Sequence, residues 1–173
     1  MAESSFITPF DGHSPVIAEG VFVDISARII GRVTLEEGSS IWPGAVLRAD
    51  DDDLRVGRGS AVLDLCLVEA PRGTPVTIET ESIVSHSACV HGATIERGAL
   101  VGIGAIVLDG AVIGAGALVG AGAVVPPRMK VPPGMLVLGQ PAKVIRELRP
   151  AERDNIAAQL AELQAKAKMY LAQ

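Results

Sequence analysis

Two histidines, His86 and His91, stand five residues apart in SIVSHSACVHG, residues 82–92. The third histidine, His13, lies among Pro9, Gly12 and Pro15 and reads as a solvated loop residue. A neutral imidazole serves as a metal ligand or a general base. Earlier in the chain come Arg48, Asp50, Asp64 and Glu69. Two imidazoles and a carboxylate form a legitimate catalytic zinc set. Whether these side chains meet depends on the elements that carry them.

Those elements announce themselves by a six-residue rhythm. From Val23 the stations are Ile29, Leu35, Ile41 and Leu47, then Val56, Val62 and Val68, then Ile78, Val84, Val90 and Ile95. Val101, Val107, Ile113, Val119, Val125, Val131 and Val137 complete the series. A period of six fits neither a 3.6-residue helix nor a simple alternating strand. It fits a hexapeptide β-helix, in which three short strands make one triangular coil and each gives one aliphatic side chain to a narrow core. Each buried aliphatic contributes ~1.5–3 kcal/mol, so the stack rests on many similar terms. The expected fold is a left-handed parallel β-helix of six to seven coils. Residues 1–22 form a lead-in, and the repeat domain spans 1–149. Two interruptions, Ala49 to Asp53 and Glu69 to Thr77, are expected to leave the prism as corner loops. Ile156, Leu160, Leu163, Ala167 and Tyr170 then step by four and three, which predicts a C-terminal amphipathic helix over 150–173 packed on a prism.

Equivalent offsets in successive coils stack one strand spacing apart, ~4.8 Å. Arg48, Glu69, His91 and Leu108 therefore share one column, and Pro43, Asp64, His86 and Ile103 another. His86 and His91 fall on different faces of one coil. Five extended residues span up to ~16 Å, whereas one ion holds its nitrogen ligands at ~2 Å. A single chain is poorly placed to chelate with both. If prisms pack about a threefold axis, His91 of one copy meets His86 of the next, with Glu69 as third ligand and Asp64 steadying His86. The alternative is ordinary polar surface, with Arg48 and Glu69 as a weak exposed ion pair.

Composition excludes several classes. A net charge of −5 argues against nucleic acid as a partner. Aromatics are 3% of the chain and glycines number 19, which suits a core of small repeated sites. The apolar stretch 99–125 resembles a membrane span in hydropathy, but its seven glycines and six-step aliphatics assign it to the repeat. No signal sequence is legible at the start. Cys66 and Cys89 match neither a disulfide framework nor a Cys-x-x-Cys metal pattern, so a reducing cytoplasmic setting is expected.

Four segments carry a resemblance: SIWPGAVLRAD (40–50), SHSACVHG (85–92), VGIGAIVLDGAVIG (101–114) and LVLGQPAKVIREL (136–148). Together they resemble the gamma-class carbonic anhydrases, hexapeptide-repeat left-handed β-helix trimers. The resemblance implies a homotrimer whose metal, zinc or iron, sits between subunits on three histidines. His86 and His91 match the second and third of these. Glu69 stands where the first is expected. Asp64 matches a family aspartate, and Arg48 and Asp50 match an arginine and an aspartate that brace the site and the trimer. Leu63 replaces a glutamine expected to contact water or substrate, and Leu65 replaces a glycine. Loop 69–77 is also short by family standards.

Three functions follow as expectations. The first is reversible hydration of carbon dioxide, with Glu69, His86 and His91 as metal ligands and Arg48 and Asp64 orienting the site. A carboxylate ligand makes bound water less acidic than a third imidazole would. The second is a catalytically inactive trimer that assembles or binds a small ligand. The third is a hexapeptide acyltransferase or thioesterase-like enzyme with a histidine base.

Overall fold

The structure, a computed structural model, describes residues 6–173; the first five residues of the expected lead-in lie outside the described residues. Two short strands, Ile7–Thr8 and Val16–Ile17, pair along the edge of residues 28–35 and open the fold. The chain then winds into a parallel β-helix of about seven coils. The six-residue stations stack in register on three faces. Face one aligns Val23, Ile41, Val62, Val84, Val101, Val119 and Val137. Face two aligns Ile29, Leu47, Val68, Val90, Val107 and Val125. Face three aligns Leu35, Val56, Ile78, Ile95, Ile113 and Val131.

Every station after Val23 is buried. The central core holds only Val, Ile, Leu, Ala and Cys66. No aromatic ring fits so thin a prism, because each coil must repeat at one strand spacing. Phe22 and Trp42 lie instead in a second apolar cluster outside face one, with Leu63, Ile83 and Leu100.

One expectation needs correction. Ala49 to Asp53 does not leave the prism as a loop; it lies within a continuous strand, Val46–Val56. The reason is its neighbour. Arg28–Leu35 also runs extended through the same corner and pairs along it, with a register shift between Gly31 and Val33 that absorbs the extra residues. Gly31 has φ +74°, and a Cβ there would lie 2.3 Å from the Ala49 carbonyl oxygen, so the close approach requires glycine. Ala49, Leu54 and Val56 face the core while Asp51 and Asp53 face water. The second interruption is shorter than expected, since Glu69 ends strand Leu67–Glu69 and Val76 and Thr77 already belong to Val76–Ile78.

After the last coil, Met135–Gly139 and Ala142–Glu147 form an antiparallel hairpin around a cis Gln140–Pro141 bond, covering the end of face one. The C-terminal helix spans Pro150–Leu171 and begins with Pro at its first position. Glu152 accepts hydrogen bonds from the Arg149 backbone N–H at 2.8 Å and from Arg146 at 2.7 and 2.8 Å. These bonds hold the Glu152 carboxyl down at about 2. The helix lays Ile156, Leu160, Leu163 and Ala167 on the second cluster of its own chain. Tyr170 stacks on Phe22 at 5.0 Å between ring centroids and meets Trp42 edge-on at 5.9 Å. No described helix is long and apolar enough to cross a membrane.

Candidate functional site

The strands of face two are aligned so that Arg48, Glu69 and His91 sit side by side in consecutive coils. All three occupy outward positions, one residue beyond a buried station, as strand alternation requires. Arg48 Nη2 donates to Glu69 Oε1 in a short contact, and Nη1 lies 3.8 Å from Asp50 Oδ2. The bond to Glu69 raises the guanidinium pKa further. The other carboxylate oxygen, Glu69 Oε2, is 3.9 Å from His91 Nε2.

His91 has a partner that its column does not supply. Its Nδ1 lies 2.5 Å from Asp109 Oδ1. The strand Ile106–Val107 ends before Leu108 can extend the column. The chain then turns, with Ala111 N–H bonded to the Leu108 carbonyl at 3.0 Å, and Asp109 reaches back one coil. Gly92 makes room for it: a Cβ there would lie 2.7 Å from Asp109 Oδ1. Column arithmetic stops where the strand stops, so it names Leu108 and misses Asp109.

On face one, Asp64 Oδ2 lies 2.9 Å from His86 Nδ1. This pair borders a cavity of about 390 Å³ between prism and helix, shared with Trp42, Gln159, Lys166 and Tyr170. Leu63, expected beside a metal-bound water or substrate, is 1% exposed and packs in the apolar cluster under the helix. It belongs to helix docking, because outward positions on face one are covered by the helix. Leu65 adopts φ +60° and is 68% exposed, so a corner that favours glycine carries an apolar side chain into solvent.

The expected residues thus fall into two groups, Arg48–Glu69–His91, which Asp109 joins, and Asp64–His86. No three His, Cys, Asp or Glu side chains come together in a metal-holding cluster among the described residues.

The donor chemistry of each half suits a metal. An ionised carboxylate only accepts hydrogen bonds, so Asp64 and Asp109 each place the proton of a neutral imidazole on Nδ1. Nε2 is then left bare on both rings, each ring steadied by a carboxylate in the way that suits a metal-binding histidine. Arg48 occupies Glu69 Oε1 and leaves Oε2 toward His91. Tetrahedral ligands at ~2.0–2.1 Å from an ion stand roughly 3.3 Å apart. The 3.9 Å between Glu69 Oε2 and His91 Nε2 needs only a small side-chain adjustment to reach that spacing.

Neither cysteine competes as a thiolate at neutral pH. Burial pushes the Cys66 thiol up to about 12, and its Sγ donates to the Ser85 carbonyl at 2.9 Å. Cys89, two residues before His91, is raised by burial and by the charge of Glu69.

Comparison with known proteins places these features in a family. Residues 92–127 match the family model described as bacterial transferase hexapeptide (six repeats). The chain is 48% identical over 165 residues to the "Uncharacterized transferase YtoA" of Bacillus subtilis, covering 95% of this chain and 96% of that protein. It is 44% identical over 141 residues to the "Probable carbonic anhydrase" of Methanocaldococcus jannaschii, covering 82% and 89%. A hexapeptide transferase family protein from Anaplasma phagocytophilum superposes with a TM-score of 0.93 at 32% identity, covering 97% of this chain and 99% of that one. Against the mitochondrial gamma carbonic anhydrase 2 of Arabidopsis thaliana, identity is 41% over 89 residues, which is 48% of this chain and only 32% of that protein's length. Fold, motifs and near full-length relatives agree: the chain belongs to the gamma-class carbonic anhydrase-like family of hexapeptide-repeat β-helix proteins.

Proposed function

We propose that the chain acts as a homotrimer with a metal centre at each subunit interface and catalyses the reversible hydration of carbon dioxide. Glu69 Oε2 and His91 Nε2 of one copy and His86 Nε2 of a neighbouring copy hold the ion, zinc or iron. The observation that carries this reading is the shared arrangement of the two histidines. Each has Nδ1 on a carboxylate, at 2.9 Å for His86 and 2.5 Å for His91, which leaves Nε2 for an ion.

A second copy of the chain is the natural cover for this face. Val46, Leu67, Cys89, Ile106 and Val124 align in register on the outside of face two, where a solitary prism would show water polar residues. Leu65 and Ile103 are exposed on the flank that carries His86. Contiguous apolar surface of this kind marks an association face.

Within the centre, Arg48 fixes Glu69 so that one oxygen faces His91, and Asp64 fixes the His86 ring. A bound divalent ion supplies the Lewis acidity that makes water a nucleophile near neutral pH. The test is elemental analysis of the purified protein with carbon dioxide hydration measured by stopped flow. Stoichiometric metal and hydration lost on chelation are expected. Absence of metal together with hydration no faster than buffer overturns the reading.

A second reading has its own support. Arg48 holds Glu69, and Leu63 is taken up by the helix, so the scaffold also suits a trimer without hydration activity. Unchanged trimer mass and stability in His86→Ala and His91→Ala, with no metal in the parent protein, favour it. The relative named a transferase keeps an acyl-transfer reading open to test, and binding of a coenzyme A thioester by calorimetry would support that one.

A further inference from the structure

We infer that Asp109 and Gly92 together position His91, setting which of its ring nitrogens faces Glu69. This deepens the metal-centre reading above and rests on it for its consequence, but the positioning itself concerns the chain alone.

Three observations carry it. His91 Nδ1 lies 2.5 Å from Asp109 Oδ1, while its Nε2 is 3.9 Å from Glu69 Oε2. The two nitrogens of one ring thus face two carboxylates from different coils. Asp109 has no Lys or Arg opposite it among the salt bridges of the described residues; its one side-chain partner there is His91. Glu69, by contrast, already spends Oε1 on Arg48. Asp109 is therefore the carboxylate that accepts the ring Nδ1–H, and Glu69 the one left beside a bare Nε2.

Gly92 sets the distance. It follows His91 directly, has φ +58°, and a Cβ there would meet Asp109 Oδ1 at 2.7 Å and Thr74 Oγ1 at 2.8 Å. Alanine would push the carboxylate off the ring as well as strain the backbone. The Gly110 N–H bonds the Gly92 carbonyl at 2.6 Å, which ties the Asp109 turn to the residue after His91. Positioning of His91 is thus built from two coils, whereas His86 receives Asp64 from the preceding coil.

In isolation a neutral imidazole is free to carry its proton on either nitrogen. Without Asp109, the Nε2 protonated form becomes available, and in that form Nε2 donates to Glu69 instead of serving as a ligand. The experiment is ¹⁵N NMR of the histidine ring nitrogens in metal-free protein, at a pH where the imidazole is neutral. The variants are the parent, Asp109→Ala, Asp109→Asn and Gly92→Ala, with Asp64→Ala as the control acting on the other ring. The His91 proton is expected on Nδ1 in the parent, to redistribute in Asp109→Ala and Gly92→Ala, and to stay on Nδ1 in Asp109→Asn, whose side-chain oxygen still accepts. Asp64→Ala should move the His86 signals and leave those of His91 in place. Zinc titration should then show affinity falling about 10–100-fold in Asp109→Ala, the usual loss when the partner of a ligating histidine is removed, with partial recovery in Asp109→Asn. A parent His91 protonated on Nε2, or an unchanged tautomer in folded Asp109→Ala, overturns the inference. A parent protein with the expected tautomer but no zinc affinity overturns the metal-centre reading and leaves the positioning role standing.

Discussion

Between Ile95 and Val137 the chain steps by six without a break, whereas between Ile41 and Ile95 it takes one step of nine, one of ten and one of five. The two halves share one core and one register, yet they differ in what they carry outside. The regular half turns its corners at positive φ on Gly98, Gly104, Gly110, Gly116, Gly122 and Gly134, with Arg128 the one other residue in that series. The irregular half mixes Gly44, Gly59 and Gly92 with Leu65, Glu81 and Ser87 at its positive-φ corners, and it holds the Arg48 and Asp64 columns. Regular repeats supply a rigid ruler; the departures from six supply room for polar groups. Asp109 is the exception, a regular-half residue whose carboxylate serves the irregular half.

The comparison predicts that stability resides in the stations and chemistry in the columns. The largest effect is expected at a station. Ile113 is fully buried in the regular half, and Ile113→Ala should cost roughly 2–5 kcal/mol in denaturant unfolding while any metal binding per folded chain persists. A smaller loss would mean that the regular half collapses around the cavity and is less rigid than its register suggests.

Next comes Glu69→His. An imidazole in place of the carboxylate should raise zinc affinity by about tenfold, ~1.4 kcal/mol, read by competition with a chromogenic chelator. Weaker or unchanged zinc binding would argue that Glu69 holds no ligand position. Arg48→Ala tests the same column for stability. The Arg48 side chain is 43% exposed, so loss of its pair should shift unfolding by only about 0–1 kcal/mol. Zinc affinity should fall with it, since Glu69 loses the partner that orients it. A stability loss as large as that of Ile113→Ala would erase the distinction between stations and columns.

The smallest effect concerns the helix that covers face one. The Glu152 carboxyl is lowered from 4.5 to about 2, first by its hydrogen bonds from Arg146 and then by the Arg149 N–H. A depressed folded pKa contributes stability that is fully present above about pH 4.5 and lost as pH falls toward about 2. Thermal melts between those pH values, followed by helical circular dichroism, should show that slope, and Glu152→Gln should flatten it.

Much of the molecule was legible beforehand. A six-residue recurrence of Val, Ile and Leu fixes the coil, because only stations spaced by one side of the triangle reach the axis. The same arithmetic gives the neighbours Arg48–Glu69–His91 and Asp64–His86, since parallel strands in register bring equal offsets together. The stripe from Ile156 to Tyr170 likewise foretells a helix with one apolar face. Length of a step, however, does not say what path the extra residues take. Ala49 to Asp53 stayed in a strand because Arg28–Leu35 runs beside it and offers hydrogen bonds through the corner. Leu63 went under the helix because outward aliphatics on face one had a partner far along the chain. Asp109 found His91 across a turn, where strand offsets no longer count and only the bare backbone of Gly92 lets the carboxylate approach. Periodicity is a local property of the chain and determined the scaffold; those last contacts join segments that share no period, so the packed structure alone decided them.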